Sequence, residues 1–398
     1  MIPLIREQYN RAFTLEKYDA FLREINGAHP GNLGFRIAET PVFIPAAFKH
    51  RLIQAGKEVL GILNDPDFPK KTRAAIPSGL LVPGETDRPE FIVVDFAVCT
   101  DENGAYVPRL IELQGFPSIN AFQPLLATSY RNYFSIPDGF SPYLSGYDEN
   151  SYWDLLKELI VGGHDPREVI LLEIEPENQK TRLDFYLTQD KLGVEPLCLT
   201  ELEKDGKKLF YRKGKEKIRV RRIYNRLIFD DLKSRKRKVR RPVDITHRFN
   251  VEWVSHPNWF YRVSKYLLPL LDSSCVPPAY FLNKLEVVPA DLEHYVLKPL
   301  FSFAGQGVML NVRKEKLDKV KDPQNWILQR KVNYAPVIRT PDDPAKCEIR
   351  LMYYWKKGDK EPILALNLCR LSKTHLSGIR YNEKKSWVGV GICFFEQD

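Results

Sequence analysis

Asp95 and Glu112 sit in two runs of strand-like residues, Phe91–Val98 and Tyr106–Gln114, joined through Asp101-Glu-Asn-Gly104. Asn-Gly is the preferred centre of a two-residue type I′ turn, and counting back from Asn103 and Gly104 along both strands sets Asp95 opposite Glu112. Like charges so opposed repel. Because side chains alternate along a strand, Val93 and Gln114 share the face of the acids, while Ile92, Val94, Phe96, Ile111 and Leu113 form the apolar reverse. Two carboxylates and an amide oxygen on one patch suit a hard cation such as Mg2+, which relieves the repulsion. The ordinary alternative is a pair of surface acids matched by a lysine or arginine.

A second group of residues lies further along. Lys298 ends the apolar run Tyr295–Leu300 and precedes a loop carrying Gly305-Gln306-Gly307. Glycines let backbone N–H groups approach phosphate oxygens, and a lysine ammonium adds a compact positive charge. The same glycines would serve a plain hairpin turn. Lys265 lies within Trp259–Leu271, and Gln329 closes a strand-like run just before Arg330-Lys331-Val332, where backbone groups are able to pair with an adenine edge. The seven histidines form no motif with a serine or cysteine, which argues against a nucleophilic triad.

These residues need a scaffold, and the composition supplies one. With 398 residues, 43% hydrophobic and 12% aromatic, the chain buries a large core and divides into two or three domains. No apolar stretch approaches the roughly 20 residues of a membrane span, and Met1–Glu7 lacks a basic region followed by an apolar signal core. The expectation is a cytoplasmic protein with no membrane partner. The six cysteines are scattered without metal spacing, and read as small buried hydrophobes. The net charge of +9 owes much to Lys233–Arg241, where seven of nine residues are basic. No aromatic residue interrupts that run to stack on a base, so it reads as a solvated loop and a nucleic-acid partner is not favoured.

The pattern divides the chain into segments 1–150, 151–274, 275–340 and 341–398. Helical periodicity occurs over Thr14–Glu24, Ala47–Leu63 and Ala121–Asn132. From Tyr152 the punctuation becomes βαβ: a helix, the strand Glu168–Ile174, a helix Glu177–Leu192 ended by Gly193, and the strand Val194–Leu199. A polar hairpin around Gly206 and Gly214 leads to a strand over Ile218–Tyr224, giving an open α/β layer. No Gly-x-Gly-x-x-Gly follows its first strand, which argues against a dinucleotide site. Tyr295–Leu300, a return strand over Gly307–Val312 and Asn325–Val332 suit a small lid. Glu348–Tyr354 and Pro362–Leu371 add two closing strands.

An Asp, a Glu-x-amide triplet, an α/β domain, a lysine helix, a Val-Leu-Lys-Pro strand with a glycine loop, a strand closing on Gln and an arginine strand follow one another in order. This series resembles the circularly permuted ATP-grasp family, of the glutathionylspermidine synthetase type, over about residues 91 to 395. The resemblance implies an α/β fold with an ATP-grasp-like core, an inserted open α/β domain and a small lid. It implies ATP and Mg2+, and an ADP-forming ligase that joins a small-molecule or peptide carboxylate to an amine through an acyl phosphate. Asp95, Glu112 and Gln114 match the metal-binding residues, and Lys265 and Lys298 the phosphate-binding lysines. Gly305, Gln306 and Gly307 match the covering loop, and Gln329, Lys331 and Val332 the adenine hinge. Arg370 and Asn382 match the family's final Arg and Asn. Two departures stand out. Gln114 replaces the usual Asn, and Val93 replaces an Arg that would stabilise the transferring phosphate, a loss of about 3 to 4 kcal/mol for a comparable group. Arg350, Arg370 and Arg226 are the candidates to substitute for it. A non-catalytic ligand-binding protein is the alternative those departures leave open.

Overall fold

Alternating apolar and polar residues form the longest strands, and in the computed structural model these gather into one sheet. The structure describes residues 1–229, 243–301, 307–374, 382 and 384–398; the basic run 233–241 and loop residues Gly305 and Gln306 lie outside them. Along the chain the strands are β1 (Val42–Ile44), β2 (Phe91–Thr100), β3 (Tyr106–Gln114), β4 (Phe140–Ser141), β5 (Val169–Glu173), β6 (Glu195–Cys198), β7 (Glu203–Asp205), β8 (Lys208–Lys213) and β9 (Glu216–Val220). There follow β10 (Arg222–Asn225), β11 (Glu252–Val254), β12 (Ala279–Phe281), β13 (Tyr295–Pro299), β14 (Trp326–Arg330), β15 (Lys346–Tyr354), β16 (Ile363–Ser372), β17 (Gly389–Gly391) and β18 (Cys393–Glu396).

The central sheet is antiparallel, in the order β17-β16-β15-β2-β3. One face packs Val93, Met352, Tyr354, Leu366 and Leu368 against the helices Leu15–Ala28, Phe122–Tyr133 and Glu149–Ile160. The first of these starts where its periodicity does, with the Thr14 side chain accepting from Lys17 N–H. The other face packs Val94, Phe96, Ile349 and Leu351 against Ala46–Leu60. Covered on both sides, the sheet holds the elements around it in fixed relation.

The βαβ reading is observed as a parallel sheet, β11-β10-β5-β6, with the helix Arg182–Leu192 crossing between β5 and β6. The single strand expected over Ile218–Tyr224 is two. β9 belongs to the antiparallel sheet β7-β8-β9 and β10 to the parallel one. The break falls at Arg221, whose N–H donates to Glu168 O at 2.8 Å while its guanidinium pairs with the Glu168 carboxylate at 2.8 Å, drawing the chain from one ladder into the other.

The small sheet is β12-β14-β13. The return strand expected over Gly307–Val312 is reduced to one bridge, Leu297 to Met309, because Val312 then turns into the core formed by Leu292, Tyr295 and Leu328 and a short helix, Lys314–Leu317, begins. The lysine helix is likewise two pieces, Asn258–Arg262 and a 3-10 turn over Lys265–Leu270. Ser264 restarts the chain there by accepting from Tyr266 N–H, and Pro269 offers no donor to continue it. All six cysteines are buried and unpaired. Among the described residues no helix is long and apolar enough to cross a membrane.

Candidate functional site

The register β2–β3 sets Asp95 opposite Glu112. It does so by a different route from the two-residue turn. Asp101 Oδ1 accepts from the N–H groups of Asn103 at 3.0 Å and Ala105 at 2.8 Å, so the connection takes in Ala105 and the pairing starts one residue out of step, Thr100 with Tyr106. An irregularity beside Asp95 leaves Ile111 unmatched, and the register then resumes at Glu112. Bulges of this kind re-aim side chains beside functional sites. Here the bulge puts Leu110, not Ile111, in the core with Leu113, which corrects the expected apolar face. It also turns the Ile111 carbonyl toward Lys298, whose Nζ donates to it at 3.3 Å.

Asp95 is fully buried. Arg350, its direct partner on β15, donates from Nε to Oδ1 at 2.6 Å and from Nη2 to Oδ2 at 2.7 Å. Arg370 on β16 adds a third bond to Oδ2 at 2.7 Å and also pairs with Glu348, which lies opposite it on β15. Tyr334 OH donates to the second Glu348 oxygen at 2.6 Å, and Arg350 Nη1 to Ser118 Oγ at 3.0 Å. Such paired, hydrogen-bonded ions are what makes buried charge tolerable. Burial opposes ionisation of Glu348, but Arg370 and the Tyr334 hydroxyl hold its carboxyl below the usual range.

Glu112 accepts from Gln114 Nε2 at 2.8 Å and pairs with Lys265 Nζ at 3.4 Å. Burial raises its carboxyl, yet Lys265, Arg370, Lys298 and Arg350 together take it down to about 2. Lys298 moves the other way: burial, with Lys265 beside it, lowers its ammonium to about 8 against the pull of Glu112 and Glu348. The lysine segment reaches the acids because β3 ends in Gly115. A Cβ there would meet Trp259 O at 2.7 Å, and Gly115 N–H donates to Val263 O at 2.8 Å. Arg350, Arg370, Lys265 and Lys298 thus gather around Asp95, Glu112 and Glu348. Positive charge is in excess, which favours an anionic ligand.

The small sheet brings the remaining residues. Lys298 is paired with Ile327 and Gln329 with Val296 on neighbouring strands, so by alternation Lys298 and Gln329 share a face. Gln329 is buried, and neither its amide oxygen nor its nitrogen has a hydrogen-bond partner. Lys331 N–H donates to His294 O at 2.7 Å and its ammonium reaches Glu293 O; Val332 follows, half-buried. Gly307 takes φ +73°, and a Cβ on it would lie 3.0 Å from Pro299 Cγ. Asn382 Oδ1 accepts from Lys373 N–H at 2.9 Å beyond the end of β16. Arg226 stands apart from the acids. It donates to the carbonyls of Pro117 and Ser118 and lies over the rings of Phe116 and Phe185 at 5.5 and 5.4 Å, so it braces the loop that presents Ser118 to Arg350.

A cavity of about 50 Å³ opens beside Glu112, Gln114 and Lys265, with Ser264 also in its lining and Phe116, Phe260 and Phe301 among its apolar residues. A shallower depression of about 300 Å³, lined by Ser145, Tyr147, Asp154 and Glu158, carries none of these groups. Among the described residues no cluster of three or more His, Cys, Asp or Glu is arranged to hold a metal ion.

Three residues of the cluster, Ser118, Tyr334 and Glu348, escaped the sequence reading. Glu348 carried a signal: in Glu348-Ile-Arg350-Leu the charges alternate with apolar residues, which puts both on one strand face.

No family model matches the sequence, and no curated protein does. Among solved structures the chain is similar to a glutathione synthetase like-effector from Globodera pallida, in its apo form, with a TM-score of 0.56 and 12% identity over 96% of each chain. At that identity the likeness establishes the fold: a mixed α/β arrangement of glutathione synthetase-like kind.

Proposed function

We propose that the chain is an ATP- and Mg2+-dependent ligase that joins a carboxylate to an amine. The observation that carries this reading is the gathering of two ammonium groups beside Glu112, the buried Lys265 paired with its carboxylate and the half-buried Lys298 bonded to Ile111 O, with the buried, unpartnered amide of Gln329 on the Lys298 face of the small sheet. An unsatisfied buried amide costs about 1 to 3 kcal/mol, and an adenine edge would supply both a donor and an acceptor for it. The order of elements, acids first and lysines after, supports the circularly permuted ATP-grasp relationship and the glutathionylspermidine synthetase type.

In this reading a carboxylate oxygen of the acid attacks the γ-phosphorus, the bond to the ADP oxygen breaks, and an amine displaces phosphate from the acyl carbon. Lys265 and Lys298 neutralise the phosphates, so catalysis comes mainly from positioning and charge. Glu112 and Gln114 would offer hard oxygen donors for Mg2+, whereas both oxygens of Asp95 accept from Arg350 and Arg370, so Asp95 would join them only if a guanidinium withdrew. When bound, Mg2+ would neutralise the β- and γ-phosphate oxygens. Val93 is part of the apolar core, so no cation stands in its place; Arg350, one strand away and directed at Asp95, is the group to replace it. A nucleotide exceeds the present cavity, since small-molecule sites run from about 300 Å³. The cavity is therefore only the part of the site beside Glu112 and Lys265. Such an enzyme would draw on cytoplasmic ATP.

Incubation with Mg-ATP and acid–amine pairs tests the mechanism. ADP and phosphate are expected; AMP and pyrophosphate would refute it. A second reading, a non-catalytic nucleotide-binding protein, is favoured by the three guanidinium bonds that occupy both oxygens of Asp95. It predicts that ATP raises the melting temperature while no acid–amine pair is turned over.

A further inference from the structure

The lining of the cavity is of two kinds, and its apolar residues have no part in handling phosphate. Its wall is a run of rings locked edge to face. Phe116 meets Phe260 with centroids 5.6 Å apart at 77°, Phe260 meets Tyr261 at 5.1 Å and 83°, and Tyr261 meets Phe301 at 5.3 Å and 78°. Tyr261 is fully buried and anchors the run, whereas Phe260 and Phe301 are half-buried and show ring surface to the space. The Arg226 guanidinium over Phe116 holds the far end. Edge-to-face rings of this kind form a stiff, preformed surface.

Water is poorly served there. An ordered water needs two to four polar partners, and the polar side chains of the lining are Glu112, Gln114, Lys265 and Ser264, whose hydroxyl already donates to Tyr261 O and accepts from Tyr266 N–H. An apolar group that displaces loosely held water gains affinity. Space of about 50 Å³ compares with roughly 10 to 15 Å³ for one water by the same measure, so it accommodates about three to five carbon-sized atoms. That is the size of an isopropyl or isobutyl group.

We infer that one of the two molecules joined at this site carries a compact branched aliphatic side chain, of valine or leucine size, beside its reacting carboxylate or amine, and that Phe116, Phe260 and Phe301 select it. The inference rests on the ligase reading, because the charged residues of the lining are where that reading places the chemistry. The reacting head group lies against the charged residues and the side chain projects against the rings. A branched-chain amino acid offers both head groups with the right side chain. Polar side chains of similar length would lose their hydration to the ring wall without finding a partner.

The test is calorimetric titration of the full-length protein, with Mg2+ and a non-hydrolysable ATP analogue present, using L-valine, L-leucine, L-serine and L-aspartate. Valine or leucine should bind at least tenfold more tightly than serine or aspartate, in line with the roughly 10- to 200-fold that a single methylene is worth in an apolar pocket. Phe260→Ala should weaken leucine binding at least fivefold, and Phe260→Leu should retain most of it. Equal or tighter binding of serine or aspartate, binding of none of the four, or indifference to Phe260→Ala would overturn the inference. Turnover separates it from its premise. Tight leucine binding without ADP release from any acid–amine pair would sink the ligase reading and leave the aliphatic subsite standing. ADP release fastest with serine or aspartate would do the reverse.

Discussion

Arg350 grips both oxygens of Asp95 from the adjacent strand, through Nε at 2.6 Å and Nη2 at 2.7 Å, in a part of the sheet where Asp95 is fully buried. Removing one partner of such a pair strands a charge in the interior, at a cost of about 3 to 5 kcal/mol, whereas replacing both is often near neutral. Arg350→Met should therefore lower the urea midpoint by the equivalent of about 3 kcal/mol, with Arg370 limiting the loss. Arg350→Met combined with Asp95→Asn should recover much of it. A double variant as unstable as the sum of the two single ones would contradict the pairing.

Lys298 gives the site a pH dependence. Its folded value, about 8, lies below the ordinary lysine range because of burial and Lys265. Below pH 8 the group is charged in both the folded and unfolded states and the folded protein carries the full desolvation penalty. Between about 8 and the ordinary value the unfolded chain binds more protons, so this residue's contribution to stability improves as pH rises. Anion binding runs the other way, since it needs the ammonium. ATP affinity measured from pH 7 to 9.5 should fall through pH 8 in the wild type and stay nearly level in Lys298→Arg.

Glu112 provides the acid limb. Its depressed carboxyl, at about 2, stabilises the fold fully above the unfolded carboxylate value and loses that contribution as pH falls from there toward 2. In Glu112→Gln the melting temperature should depend less on pH between 5 and 2.5. An unchanged slope would mean that the surrounding cations do not act on Glu112.

Gln329 should show stability and function in opposition. Both polar atoms of its amide are buried without partners, so Gln329→Met removes an unsatisfied group at similar length. The variant should gain about 1 kcal/mol in denaturant titrations and lose nucleotide affinity at least tenfold. Lower stability with unaltered ATP binding would show that the amide serves the fold alone.

Arg226 should act at a distance. It bridges the carbonyls of Pro117 and Ser118 and lies over two rings, a role lysine fills poorly because it lacks a planar fork. Arg226→Lys should lower kcat of ATP-dependent turnover more than it raises KM for ATP, since it loosens Ser118 against Arg350 without touching the lysines. A change in KM for ATP alone would place Arg226 at the nucleotide instead.

The sequence carried the pairing of Asp95 with Glu112 but not its mechanism. The two-residue turn and a straight ladder were wrong in opposite senses: a longer connection displaced the register by one, and the bulge at Ile111 put it back. A bulge of this kind leaves no mark in apolar periodicity, which is why Leu110 and Ile111 exchanged faces. Long amphipathic elements such as the helix Leu15–Ala28 were legible because their signals are local. Arg221 was not, since its partner Glu168 lies on another element and splits what reads as one strand. The same holds for Glu348, which enters the site through the pairing of β15 with β2 and β16, and for Tyr334, which is held beside it by the bond from Ala335 N–H to Val98 O.

The most direct measurement is a crystal structure of the protein with Mg2+ and a non-hydrolysable ATP analogue. The account predicts the triphosphate between the small sheet and β3, with Lys265 and Lys298 within hydrogen-bonding distance of phosphate oxygens, Mg2+ on Glu112, and the adenine against Gln329. A nucleotide bound elsewhere, or a Glu112–Lys265 pair left intact at saturating analogue, would contradict it.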